Sequence, residues 1–233
     1  MAEISIRMTT AEKIEKINSE LENYSSLLIA VSKTKSVEEI MEAYAAGQRH
    51  FGENQVQELD EKRAQLPEDI IWHQIGHLQR NKVKYIAPYV GLIHSVDSLK
   101  LLLEINKQAL KAGRIIDCLL QIQISGETTK FGLEYADAID LLRSEEYRSM
   151  ENIRIVGLMG IASNTPNEKM IKEEFHDLKV LFSGIKESFF KENADFKELS
   201  MGMSSDYKIA LEEGSTMVRI GSLVFGERDY DKK

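Results

Sequence analysis

The sequence predicts an α/β protein: a (β/α)8 TIM-type barrel with an extra N-terminal helix, a single domain over 1–233. Three observations carry that reading. Short unbroken apolar runs recur along the chain, and such runs read as parallel strands buried on both faces. Amphipathic helical stretches alternate with them, which implies right-handed parallel crossovers. Eight such units fit into 233 residues, an ordinary length for one closed barrel. An open doubly wound sheet is the alternative, but no Gly-x-Gly-x-x-Gly turn follows the first strand.

The elements follow in order. Residues 9–25 form the leading helix: Thr9 or Thr10 caps it, and Ile14, Ile17, Leu21 and Tyr24 make its apolar stripe. The first strand begins at Leu27 and runs through Val31 to Lys33. Ser36 caps the next helix, which Gly47 closes. Residues 50–54 give a short strand and turn, 56–66 a charged helix stopped by Pro67, and 70–75 the third strand. A third helix ends at Pro88, and 90–96 is the fourth strand. Residues 98–112 are helical and Gly113 closes them; 117–124 is the fifth strand. After the polar loop 125–132, helix 135–147 leads to strand 154–160. A long helix covers 167–189, then strand 198–203, helix 205–213 and strand 217–225. The last strand has almost no chain after it, so no helix is expected there.

Composition narrows the function. Of the residues, 42% are hydrophobic and 29% charged, an ordinary globular balance. A net charge of −8 argues against a nucleic-acid partner. Cys118 is the one cysteine, so no internal disulfide exists, and its apolar surroundings make it a buried small hydrophobe. No apolar run reaches membrane-span length, and residues 1–10 lack the core of a secretory signal. A cytoplasmic location is therefore expected.

In a barrel the chemistry gathers at the C-terminal strand ends. Lys33 stands at the first of these and shares the parity of Leu27, Ile29 and Val31, so it points inward if they do. It is either a snorkelling lysine or a desolvated Schiff-base amine. Gly202-Met203-Ser204-Ser205 and Gly221-Ser222 end the last two strands, where barrels commonly bind phosphate. Ser204 and Ser205 could equally be plain helix caps. Arg219 sits in an apolar strand and needs an acceptor, either an internal acid such as Glu53 or a ligand. Lysine, arginine and two phosphate-type loops on one mouth suit a phosphorylated carbonyl compound. His73 reads as a core histidine, and His77 and His94 form no metal set with carboxylates, so no metal is expected. Lys130 occupies a polar mouth loop, and Glu168, Lys172, Glu173 and Glu174 read as a solvated helix face.

Several runs are specific in order and spacing. They are Ala30-Val31-Ser32-Lys33-Thr34-Lys35, Phe51-Gly52-Glu53-Asn54, Trp72-His73 and Ile75-Gly76-His77-Leu78-Gln79. They continue with His94-Ser95-Val96-Asp97-Ser98, Gly157-Leu158-Met159, Leu199-Ser200-Met201-Gly202-Met203-Ser204 and Arg219-Ile220-Gly221. With these runs the chain resembles the pyridoxal 5′-phosphate homeostasis proteins over nearly its whole length. The resemblance implies a barrel like the N-terminal domain of alanine racemase, with pyridoxal 5′-phosphate (PLP) held as a Schiff base on Lys33. It implies that Arg219 faces the pyridine nitrogen, that Ser204, Gly221 and Ser222 hold the phosphate, and that Asn54 borders the cofactor. It implies storage, buffering or delivery of PLP, with apo-PLP enzymes as recipients and little turnover. A PLP-dependent amino-acid racemase is the alternative, and a phosphosugar aldolase with Lys33 as its Schiff-base lysine a remote third. Gln55 and Gln74 depart from the aromatic residues expected at their positions, which leaves the packing around the second and third strands open.

Overall fold

The computed structural model describes residues 8–126 and 131–226. Eight parallel strands close into a barrel in chain order. They are β1 (Leu27–Val31), β2 (His50–Glu53), β3 (Ile71–Gln74), β4 (Leu92–Val96), β5 (Ile116–Ile122), β6 (Ile153–Gly160), β7 (Glu198–Met203) and β8 (Met217–Ile220). Closure joins β1 to β8, with Ile29 opposite Arg219. The helices are α1 (Thr10–Glu22), α2 (Val37–Ala45), α3 (Val56–Arg63), α4 (Val83–Ile86), α5 (Leu99–Lys111), α6 (Tyr135–Arg143), α7 (Glu145–Arg148), α8 (Glu168–Phe189), α9 (Tyr207–Glu212) and α10 (Ser222–Phe225). Reciprocal capping boxes start two of them, Thr9 with Glu12 on α1 and Ser36 with Glu39 on α2.

Two apolar layers follow from strand parity. Leu28, Ala30, Phe51, Trp72, Ile93, Leu199, Val218 and Ile220 face outward and pack under the helices. Ile29, Leu92, Leu119, Val156, Met159 and Met217 fill the inside. Alternation therefore turns Arg219 inward between Val218 and Ile220. Cys118 is fully buried in the outer layer, and burial raises its thiol pKa.

Several elements depart from expectation. β1 ends at Val31, so Lys33 stands in the turn beyond it rather than on the strand. The stretch before Pro88 forms only a 3-10 turn, Arg80–Lys82, and the short α4. The helix expected over 135–147 is broken at Ser144, whose backbone is extended at φ −62°, ψ 147°. Its hydroxyl donates to the Leu141 carbonyl and accepts from the Tyr147 N–H, so a side chain replaces helical bonds. The expected last strand, 217–225, stops at Ile220. Beyond Gly221 the chain turns into α10, so the eighth strand does have a helix. Lys13 Nζ donates to the Val224 carbonyl and Lys35 Nζ to that of Phe225, which ties α10 to the first elements of the chain. On α8, Glu168, Lys172 and Glu173 are exposed, but Glu174 is buried. Its carboxylate accepts from the backbone N–H and the hydroxyl of Ser163, at 2.7 and 2.6 Å.

Among the described residues, no helix is long and apolar enough to cross a membrane. Lys130 and Tyr230 lie outside them.

Candidate functional site

A cavity of about 710 Å³ opens at the C-terminal ends of the strands. Lys33, Asn54, Ser204, Arg219, Gly221 and Ser222 all line it. Lys35 adds a further cation, and no Asp or Glu among the described residues forms part of the wall. In a chain of net charge −8, this wall is a local excess of positive charge.

The Lys33 turn is held on both flanks. Ser32 is fully buried, and its hydroxyl donates to Glu53 Oε1 at 2.7 Å. Lys62 Nζ donates to that same oxygen, to Glu58 and to the Ser32 carbonyl, each at 2.7 Å. The Thr34 N–H donates to Glu58 Oε1, and Thr34 takes a left-handed φ of 66°. Burial raises the Glu53 pKa, against the pull of Lys62. Glu53 is thus the partner of Lys62 and not of Arg219.

Arg219 is 4% exposed. Its Nη1 donates to Ser200 Oγ at 2.6 Å, and its Nη2 to the Gly160 carbonyl at 2.9 Å. Burial lowers its pKa to about 10, with Asp206 opposing the shift. It therefore stays charged at neutral pH.

On the phosphate-type side, Ser204 does not cap α9, whose cap is Asp206. Its Oγ instead accepts from the Gly221 N–H at 3.3 Å, joining the loops after β7 and β8. Gly202 has φ +93°, and a Cβ there would sit 2.6 Å from that of Ala210. A Cβ on Gly221 would come within 3.3 Å of the Val31 carbonyl, so glycine brings this loop against β1.

The opposite wall carries Asn54, His77, Gln121 and Phe131. Gln74 is fully buried, and its amide donates to the carbonyls of Asn54 and Gly76, at 2.9 and 3.0 Å. Its departure from an aromatic residue is thus met by hydrogen bonds that set Asn54; Gln55 is exposed and carries no side-chain cap. Gln121 Nε2 donates to the Phe131 carbonyl at 2.7 Å. The Phe131 ring stacks on His77, centroids 3.9 Å apart, and His77 Nδ1 lies 3.2 Å from Asp97. Sequence reasoning missed Gln121 and Phe131. The parity of Gln121 with inward Leu119 was the available signal.

Below the cavity lies a polar row that the sequence did not reveal. His73 is buried, as expected of a core histidine, and His94 is fully buried as well. His50 Nδ1 lies 2.9 Å from His73 Nε2, His73 Nδ1 2.9 Å from His94 Nε2, and His94 Nδ1 2.9 Å from Ser200 Oγ. Among the described residues, no three His, Cys, Asp or Glu side chains form a metal set.

A closed parallel barrel with a lysine after β1 and an inward arginine on β8 defines the class. Residues 9–229 match the family model described as "Alanine racemase, N-terminal domain". Within that class the chain belongs to the pyridoxal phosphate homeostasis protein family. It is 41% identical over 204 residues to the family's protein from Aquifex aeolicus, covering 87% of each chain. It is 42% identical over 217 residues to that of Homo sapiens, covering 88% of this chain and 78% of the human one. It is also similar to the structure of PipY of Synechococcus elongatus PCC7942 with PLP bound. That match has a TM-score of 0.84 and 36% identity, over 94% of this chain and 100% of PipY.

Proposed function

We propose that this protein binds PLP covalently through Lys33, and that it stores, buffers or delivers the cofactor with little or no turnover of its own. The observation that carries the reading is the composition of one cavity wall. Lys33, Arg219, Ser204, Gly221 and Ser222 meet on the adjoining ends of β1, β7 and β8, with no acid among them. The residues fit the group. Two hydroxyls and the backbone beside Gly221 suit a phosphate, Lys33 suits an aldehyde, and Arg219 suits an unprotonated ring nitrogen. The cavity, at about 710 Å³, is large enough for a cofactor of this size. The shared family and the PLP-bound PipY support the same assignment.

When bound, the group would supply an electrophilic carbonyl to Lys33 and a ring able to accept electrons. The chain's own residues set how far that ability is used. Arg219 places a fixed cation at the ring edge, which opposes protonation of the pyridine nitrogen and weakens the electron sink. Ser204 orients the phosphate end and couples the two loops that hold it. Asn54, held through Gln74, borders the ring from β2.

The carrier reading is favoured over a racemase by the tyrosines. Racemisation needs an acid/base on each face of the substrate. Among the described residues no tyrosine lines the cavity. Tyr207, which follows the β7 mouth, turns its hydroxyl away to Glu20 at 2.9 Å.

The test is an absorbance spectrum of the purified protein before and after borohydride, followed by peptide mapping. A visible band lost on reduction, with the adduct on Lys33, is expected. An adduct mainly on Lys35 or Lys130 would overturn the assignment. Lys33→Ala should lose the band and retain only weak, phosphate-driven binding.

A further inference from the structure

We infer that Ser200, His94 and His73 form a one-way hydrogen-bond chain that fixes the guanidinium of Arg219, making them positioning residues for the cofactor ring. The inference rests on the reading that Arg219 faces that ring. The chain crosses the barrel from β2 through β3, β4 and β7 to β8, with every link between 2.6 and 2.9 Å.

Donor and acceptor counting sets its direction. A guanidinium only donates, so Ser200 Oγ must accept from Arg219 Nη1. A hydroxyl has one hydrogen, and a buried one needs an acceptor. Ser200 is fully buried, and the other partner of its Oγ is His94 Nδ1, at 2.9 Å. Nδ1 of His94 must therefore be bare, which puts the His94 hydrogen on Nε2. That hydrogen points at His73 Nδ1, which must be bare in turn. The His73 hydrogen then sits on Nε2 and is donated to His50 Nδ1. The direction set at Arg219 thus reaches His50 at the other end of the row.

One proton per ring is what the surroundings support. Burial holds His73 down to about 3 and His94 well below the usual histidine range, with Arg219 adding to the effect on His94. A neutral row also suits the arginine: it fixes direction without supplying a counter-charge that would blunt the cation at the ring. The second anchor, Gly160, is a carbonyl and equally uncharged.

Two measurements test this. The first is long-range nitrogen–proton NMR of histidine-labelled protein, with and without PLP. His94 and His73 are expected with hydrogen on Nε2 and a bare Nδ1. Hydrogen on Nδ1 of His94 would overturn the chain whatever the cofactor does. The second compares PLP affinity and the pH titration of the visible band in folded variants. Ser200→Ala and His94→Leu should weaken PLP about tenfold, as expected for one misplaced charge-assisted hydrogen bond, and should shift the titration midpoint. His94→Asn should restore both toward wild type, because its Oδ1 can accept from Ser200 where Nδ1 did. Wild-type affinity and midpoint in His94→Leu would overturn the positioning role. A wild-type protein that bound no PLP would instead overturn the reading beneath it.

Discussion

The Gly221 N–H donates to the Oγ of Ser204 at 3.3 Å, across the ends of β8 and β7. The serine accepts from the protein, so its hydroxyl hydrogen can turn to a phosphate oxygen. Ser204→Ala removes that donor and the pin between the loops. PLP binding should weaken by about 1–3 kcal/mol, the range for a lost hydrogen bond to a charged group. Equilibrium dialysis against PLP checks this, and unchanged affinity would take Ser204 out of the phosphate site.

Arg219→Glu should change the cofactor's electronic state more than its affinity. A carboxylate at the ring favours a protonated pyridine nitrogen and a stronger electron sink. The visible spectrum and its pH dependence should both move. The same change sets an acid against the Gly160 carbonyl, so the folded state should lose several kcal/mol, about 3 or more, in urea unfolding. A spectrum identical to wild type across pH would mean that Arg219 is not at the ring.

Stability should fall as the solution is acidified from neutral. Burial lowers the folded-state pKa of His50, His73 and His94 below that of an unfolded histidine, about 6.5. Below that value the unfolded chain binds more protons than the folded one, so their contribution is complete above it and is lost toward lower pH. Each such group removes up to about 1.4 kcal/mol per pH unit. Glu53 has the opposite sign: its raised pKa favours the folded state at low pH and offsets part of the loss. Urea midpoints between pH 7.5 and 5 measure the balance, and a flat profile would contradict the buried neutral row.

Exchange of the α-proton of L- and D-amino acids in deuterated water, with PLP-loaded protein, should be slow. The described cavity wall has no tyrosine, and a cation held at the cofactor ring would weaken its electron sink. Exchange at about 1 per second or faster would be an ordinary enzymatic rate and would favour the racemase reading.

The barrel was legible because its strands are apolar runs and its helices carry apolar stripes, both of them local patterns. What escaped was decided by single side chains. Ser144 breaks a helix by bonding its own backbone, and Glu174 leaves a charged face to meet the Ser163 N–H. Lys33 stood out as a lysine where an apolar strand ends, Ser204 as a hydroxyl in the turn after the seventh strand, and Arg219 as a guanidinium inside an apolar strand. The histidine row did not, because each member sits on a different strand and none is unusual alone. Only the closure that brings β4 across to β7 makes His94 and Ser200 neighbours. Phe131 was missed for a different reason: it reaches the wall from the loop after β5, where no periodicity fixes direction.

The ties that hold α10 to the start of the chain have a kinetic consequence. Lys35 and the Phe225 carbonyl that it holds are 190 residues apart, and Lys13 and Val224 are 211 apart. Contacts of such high sequence separation form late, after most of the intervening chain has condensed. During synthesis Lys33 emerges long before Arg219 and Ser222 exist to complete its cavity. A nascent chain thus carries Lys33 with no cavity around it, and the cavity comes into being only when the barrel closes.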